Sequence, residues 1–100
     1  MKVTLHISCR KLKDLDVFSK SDPQVIFYQW SDRNRNWVKF GQTECINNNL
    51  NPDFKEYFSV SYSFEKQQKL RFMVNDIDVS DHEEIGYIET SMGTVMGSRN

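Results

Sequence analysis

Aspartates in two separate segments are the residues whose type and spacing could do chemistry. Asp16 and Asp22 stand six positions apart in the first segment. The second segment, residues 75–84, holds Asp76, Asp78, Asp81 and Glu83. Clusters of oxygen donors without a soft ligand suit hard cations, and calcium accepts about six to eight oxygens in flexible geometry. The two segments therefore predict a calcium site, provided that the fold brings them together.

Electrostatic repulsion is the physical reason to expect a metal ion among these carboxylates. Two carboxylates at ~4 Å repel each other by a few kcal/mol at an effective dielectric constant near ~20. Bringing four or five of them together is therefore costly without a cation. One acidic loop alone is more simply explained as solvated surface, whereas two acidic loops at one end of a domain favour an ion site.

Alternation of apolar and polar residues predicts the strands that must position these aspartates. Val3, Leu5, Ile7 and Cys9 alternate with polar residues, as do Phe58, Val60, Tyr62 and Phe64. Further strands are expected at residues 24–30, 37–46, 70–74 and 85–90, with turns or loops at 31–36, 47–53 and 76–84. Seven short strands separated by turn signals predict an all-β, two-sheet antiparallel sandwich, with at most a turn or two of helix after Ser91.

Composition limits the other possibilities. The chain of 100 residues is about one domain, and its 38% hydrophobic content supports one core. Its net charge of −1 gives no basic nucleic-acid footprint. Neither a membrane span of ~20 apolar residues nor a signal peptide is visible in the sequence. Cys9 and Cys45 are expected to be reduced, buried thiols, although two cysteines could also pair.

Three motifs, in order along the chain, resemble those of C2 domains. The first is Ser21-Asp22-Pro23 after the six-residue aspartate spacing. The second is Thr43 and Ile46 followed by Leu50-Asn51-Pro52, Phe54, Glu56 and Phe58, and the third is Leu70-Arg71-Phe72 leading to Val74, Asp76, Asp78 and Ile85-Gly86. The run 64–72 and the opening Ile7-Ser8-Cys9 further resemble the first of two tandem C2 modules in copines.

The resemblance implies a set of calcium ligands. Asp16, Asp22, Asp76 and Asp78 would coordinate calcium through their side chains, and Leu15 and Ile77 through their carbonyls. Glu83 stands where the family usually has a fifth aspartate, and the loop is one residue shorter than usual. Either Glu83 or Asp81 could therefore supply the fifth carboxylate, which leaves the number of bound ions open.

The resemblance also implies what the site does. In C2 domains, bound calcium bridges the loops to phosphate oxygens of anionic phospholipids, and apolar residues at the loop tips enter the interface. Val17, Phe18 and Val79 occupy such positions here, although Phe18 could instead pack on the core. The implied protein is a non-enzymatic module of signalling or membrane trafficking. It would be cytoplasmic and move to the plasma membrane or other cytosol-facing membranes when calcium binds.

Two other interpretations compete with this one. A calcium-independent C2-type module that binds a protein partner would use the same sandwich with a weakened site. The stretch 70–80 also resembles the nucleophile motif of haloacid-dehalogenase-type phosphatases, but that fold requires a long parallel α/β continuation and leaves Asp16 unexplained. The basic residues Arg33, Arg35 and Lys39 near a predicted turn could hold acidic headgroups or simply favour solubility.

The first strand leads directly into the first acidic loop, as in the permuted type II topology of C2 domains, whose last strand closes the sandwich. The sequence is therefore expected to be part of a longer chain that supplies this strand beside residues 3–9. A version extended by roughly 20–30 residues, the length of one connection and one strand, should melt at a higher temperature and self-associate less, because an open strand edge invites pairing. Thermal melts and light scattering on both versions test this; equal melting temperatures with a monomeric short form would contradict it.

Overall fold

Antiparallel strands make up most of the chain. The computed structural model describes residues 1–12, 22–63, 67–77 and 82–97. Its strands are β1 (Lys2–Ser8), β2 (Pro23–Ser31), β3 (Asn36–Gln42), β4 (Asp53–Ser61), β5 (Lys69–Ile77) and β6 (His82–Ser91), followed by the short helix α1 (Met92–Gly97). The predicted all-β fold is confirmed, as is the single helical segment after Ser91. Six strands lie in the described residues, where the turn signals had indicated seven.

Two sheets form the layers of the sandwich. One contains β1 and β4, and the other has the order β3-β2-β5-β6, with every pairing antiparallel. The architecture excludes the parallel α/β fold that the phosphatase interpretation would need. The alternating apolar residues of both sheets meet in one core cluster, which consists of Leu5, Phe27, Phe58, Val60, Leu70 and Met92.

Phe27 of β2 is the centre of this core. Its ring is fully buried and stacks on Phe72 with 4.8 Å between the ring centroids. It also contacts Phe58 of the other sheet at 5.0 Å and Phe40 at 5.2 Å. Such aromatic pairs contribute about 0.5–1.5 kcal/mol beyond the area they bury. Phe27 therefore links the two layers as well as its own neighbours.

The register between β2 and β5 determines what each face of the four-stranded sheet carries. Phe27 pairs with Phe72 on the core side, and Tyr28 pairs with Arg71 on the outer side. The pairing continues to Pro23 and Asp76 at the end of both strands. Asp22 and Ile77, which border the two acidic segments, therefore lie at the same end of the sandwich.

Two predicted boundaries were wrong. The strand expected over 37–46 ends at Gln42, so that Cys45 lies in a loop. The loop expected over 76–84 is mostly strand, because β5 continues to Ile77 and β6 begins at His82. Polar side chains at the end of a hairpin can reach solvent while the backbone ladder continues, so their polarity does not end the strand. Asp76 and Glu83 consequently face each other as strand partners.

The two-stranded sheet covers only part of the four-stranded sheet within the described residues. There, β1 pairs with β4 alone. Ile88 pairs with Phe72 on the core side of β6, yet it is 61% exposed. The further strand beside β1 remains a prediction.

Gly41 provides a test of the packing between the sheets. A Cβ placed on Gly41 would lie 2.9 Å from Cε1 of Phe58, whose side chain is buried between the layers. We expect Gly41→Ala to lower the free energy of unfolding by about 1–3 kcal/mol, as overpacking does. Urea unfolding measures the change. The matched control is Gly86→Ala in β6, whose added Cβ would meet no atom within 4 Å; equal midpoints for the two variants would contradict the packing described here.

Candidate functional site

The structure brings the two predicted acidic segments into direct contact. The backbone N–H of Asp22 donates to Oδ1 of Asp76 at 2.9 Å. The N–H of Ile77 in turn donates to the carbonyl oxygen of Asp22 at 2.9 Å. These reciprocal bonds join residues that are 54 positions apart in sequence. They follow from the β2–β5 pairing, which ends where both acidic segments begin.

The loop between β3 and β4 joins the same site. The backbone N–H of Asn48 donates to Oδ1 of Asp22 at 2.7 Å. Asn48 has a φ of 52°, a left-handed conformation that asparagine tolerates better than most residues. The thiol of Cys45 donates to the carbonyl of Asp22, with 3.4 Å between sulfur and oxygen. Asp22 is therefore held from both neighbouring loops.

Thr43 fixes this loop against β2. Its side chain is buried, and its Oγ1 accepts the N–H of Val25 at 2.9 Å and donates to the carbonyl of Glu44 at 3.0 Å. A buried hydroxyl needs such partners to offset its desolvation. The N–H of Ile46 then donates to the carbonyl of Pro23 at 3.1 Å, immediately beside Asp22. Thr43 and Ile46 thus hold the loop along β2 and position Asn48.

Asp76 is an unusual aspartate because only 5% of it is exposed. Burying a carboxylate costs free energy unless hydrogen bonds or a cation compensate it. Asp22, half-buried beside it, adds a second carboxylate to the same small region. Both are oxygen donors, so their chemistry fits a hard divalent cation such as calcium. Within the described residues, however, no three His, Cys, Asp or Glu side chains form a cluster that could hold a metal by themselves.

The described residues include only part of the predicted ligand set. Asp22 and Asp76 are brought together, and the N–H of Ile77 is bound to Asp22. Glu83 lies in β6 opposite Asp76, although its side chain is outside the described part. The other predicted site residues, Leu15, Asp16, Val17, Phe18, Asp78, Val79 and Asp81, lie outside the described residues. The assignment of calcium ligands therefore remains a prediction.

Sequence reasoning missed the roles of Asn48 and Cys45. The run Asn47–Asn49 indicated a loop, and asparagine is a residue that accepts positive φ, but nothing in the sequence showed that the Asn48 N–H would reach Asp22. Cys45 was expected in a buried strand; both cysteines are free thiols, as predicted, but they are only half-buried. A cysteine two residues beyond Thr43 carries no sequence signal of its position beside carboxylates.

The Cys45 thiol reports the electrostatics of the site. Burial raises its pKa, and the carboxylates of Asp22 and Asp76 raise that pKa further because they disfavour a third negative charge. The thiolate is the reactive form of cysteine, so the thiol should react slowly at neutral pH.

The comparisons with known proteins agree with this architecture. The model of the C2 domain family matches residues 2–100, and the chain belongs to this family. Within the family it is similar to the copines of Dictyostelium discoideum. It is 42% identical to Copine-E over 101 residues, which cover 95% of the chain and 17% of Copine-E. It is 35% identical to Copine-D over 105 residues, which cover 97% of the chain and 20% of Copine-D. The chain thus spans about a fifth or less of these relatives.

A solved structure shows the same fold. The two calcium-bound C2 domains of Extended-Synaptotagmin 2 match with a TM-score of 0.71 at 20% identity, covering 95% of the chain and 35% of that protein. The C2 fold and the likeness to copines, both predicted from the three motifs, are confirmed. No helix in the described residues is long and apolar enough to cross a membrane.

Alkylation of Cys45 tests the proximity of the two carboxylates. In a Cys9→Ser background, we expect Asp22→Asn to increase the rate of iodoacetamide modification at pH 8 severalfold, because loss of one negative charge lowers the pKa of the thiol and raises the thiolate fraction. Asparagine keeps the oxygen that accepts the Asn48 N–H. The matched control is Asp53→Asn, an exposed aspartate paired with Arg10. The same rate in both variants would show that Asp22 does not act on the thiol.

Proposed function

We propose that this C2 domain binds calcium at the end where Asp22 and Asp76 meet, and that the bound ion docks it on anionic phospholipid membranes. The observation that supports this function best is the burial of Asp76 against Asp22, joined by the 2.9 Å bond between the two acidic segments. A solvated acidic loop would leave both carboxylates in water. A nearly buried carboxylate with an acidic neighbour is more readily understood as a cation ligand.

The charges near this end give the order of events. Without calcium, the acidic residues repel an anionic lipid surface as well as one another. Calcium offsets this charge and would be shared between protein carboxylates and lipid phosphate oxygens. Membership of the C2 family supports the proposal, since its members typically bind calcium and phospholipid. The structural likeness to a calcium-bound C2 protein is consistent with it.

Apolar residues at the loop tips would add to this attraction. Val17, Phe18 and Val79 flank the predicted ligands in sequence. Burying one such side chain in the interface contributes roughly 1.5–3 kcal/mol. A single module should therefore bind reversibly, as expected for a cytoplasmic domain that moves to the plasma membrane or other cytosol-facing membranes when calcium rises.

A calcium-independent module that binds a protein partner is the second candidate. Two observations favour it: only two of the predicted carboxylates meet within the described residues, and Glu83 is a strand residue rather than a loop residue. Calcium titration followed by thermal unfolding separates the candidates, because an ion that binds the native state must raise its stability. A melting temperature independent of calcium would favour the second candidate.

Co-sedimentation with liposomes tests the calcium-dependent function directly. We expect Asp76→Asn and Asp78→Asn each to abolish calcium-driven sedimentation with phosphatidylserine vesicles, because each removes a negatively charged oxygen donor. In the Asp76→Asn variant the amide oxygen could still accept the N–H of Asp22, so the fold should persist; far-ultraviolet circular dichroism checks this. The control Asp53→Asn alters an exposed carboxylate on β4 and should sediment like the unsubstituted protein. Retained calcium-driven sedimentation of both site variants would contradict the site assignment.

A further inference from the structure

The outer side of the four-stranded sheet carries a second cluster that the calcium site does not use. Strand register places its members together: Trp30 pairs with Trp37, Tyr28 with both Lys39 and Arg71, and Arg71 with Glu89. We call this surface the basic–aromatic face, and define it by Trp30, Trp37, Lys39, Lys69, Arg71 and Glu89. It lies opposite the core and close to the turn 32–35.

Cation–π contacts order this face. The guanidinium of Arg71 lies 4.5 Å from the ring centroid of Trp37 and 5.3 Å from that of Tyr87. The ammonium group of Lys69 lies 5.9 Å from the ring of Trp30. The two indoles meet edge to face with 5.5 Å between centroids. Contacts of this kind hold charged side chains in place at an exposed surface, which lowers the entropy lost when a ligand binds.

The face and its adjoining turn hold an excess of positive charge. Arg33 and Arg35 in the turn, together with Lys39 and Lys69 on the strands, are exposed. The neighbouring acidic residues are Glu89, which pairs with Arg71, and Asp32, which accepts the Trp30 indole N–H at 3.0 Å. The whole chain has a net charge of −1, so this excess is local. Charge complementarity therefore points to an anionic occupant.

The position of the face distinguishes between anionic occupants. Lys69 is seven residues from Asp76 along β5, or about 23 Å at the rise of an antiparallel strand. The sandwich measures 48 Å along its longest axis. A bilayer docked at the aspartate end would leave the far part of this face in water. Nucleic-acid bases would need open indole rings for stacking, and cations already approach both rings.

We propose that the basic–aromatic face binds an acidic segment of a partner protein. Carboxylates of that segment would pair with Lys39, Lys69 and the turn arginines, and its apolar stems would lie on Trp30 and Trp37. The exclusion of a lipid occupant rests on the proposed membrane docking, whereas the charge and the cation–π contacts do not. Exposed ion pairs are individually weak, so binding should be reversible and should weaken as salt increases.

A capped, fluorescein-labelled octaglutamate peptide tests the proposal in the absence of calcium and lipid. We expect saturable binding by fluorescence anisotropy in low salt, and at least a tenfold weaker affinity for Lys39→Glu/Lys69→Glu. The matched control is Lys2→Glu/Lys55→Glu, which makes the same change in net charge at exposed positions of the other sheet. This control should remain within twofold of the unsubstituted protein, and melting curves should show that both variants are folded.

Three outcomes would overturn the proposal. The first is no binding of the peptide, and the second is an equal loss in both double variants, which would show an effect of net charge alone. The third is calcium-free binding to phosphatidylserine vesicles that requires Lys39 and Lys69, which would make the face a lipid site. The calcium function is tested separately: Asp76→Asn should leave peptide binding unchanged, and Lys39→Glu/Lys69→Glu should still sediment with vesicles when calcium is present.

Discussion

The register between β2 and β5 is the constraint on which both surfaces of this domain depend. Side chains alternate between the faces of a strand, so a slip of one residue would exchange core and surface for the whole pair. The observed register puts Phe27 and Phe72 in the core and Asp76 beside Pro23 at the strand end. It also puts Arg71 on the outer face. Core packing therefore selects the register, and the register positions the carboxylates and the cations together.

Asp76 shows how the fold compensates a functional cost. A nearly buried carboxylate next to Asp22 destabilises the ion-free domain, and the hydrogen bonds around it offset part of that cost. Thr43 and Asn48 add to this by holding the β3–β4 loop against Asp22. The loop is thus part of the site although it contributes no predicted side-chain ligand. Backbone N–H groups take the place that charged side chains would otherwise occupy.

Alternation in the sequence was sufficient to predict the sandwich, because strands with one buried face must place apolar residues at every second position. Spacing and resemblance were sufficient to predict that Asp22 and Asp76 meet. The continuation of β5 through Asp76 could not be predicted from polarity, since ladder bonds to β2 and β6 decide it. The bond from Asn48 to Asp22 depends on the path of a loop, and the stacking of Arg71 on Trp37 depends on sheet order. Neither is encoded at short range.

The separation of charges along the sandwich gives the domain a large electric dipole despite its net charge of −1. Carboxylates lie at one end and the turn arginines near the other, over a length of 48 Å. That length is several times the Debye length of ~8 Å at physiological ionic strength, so an anionic surface acts only on the end nearest to it. An ion-free domain near such a surface would turn its basic end towards it. If calcium binds as proposed, it would rotate the preferred approach as well as strengthen the contact.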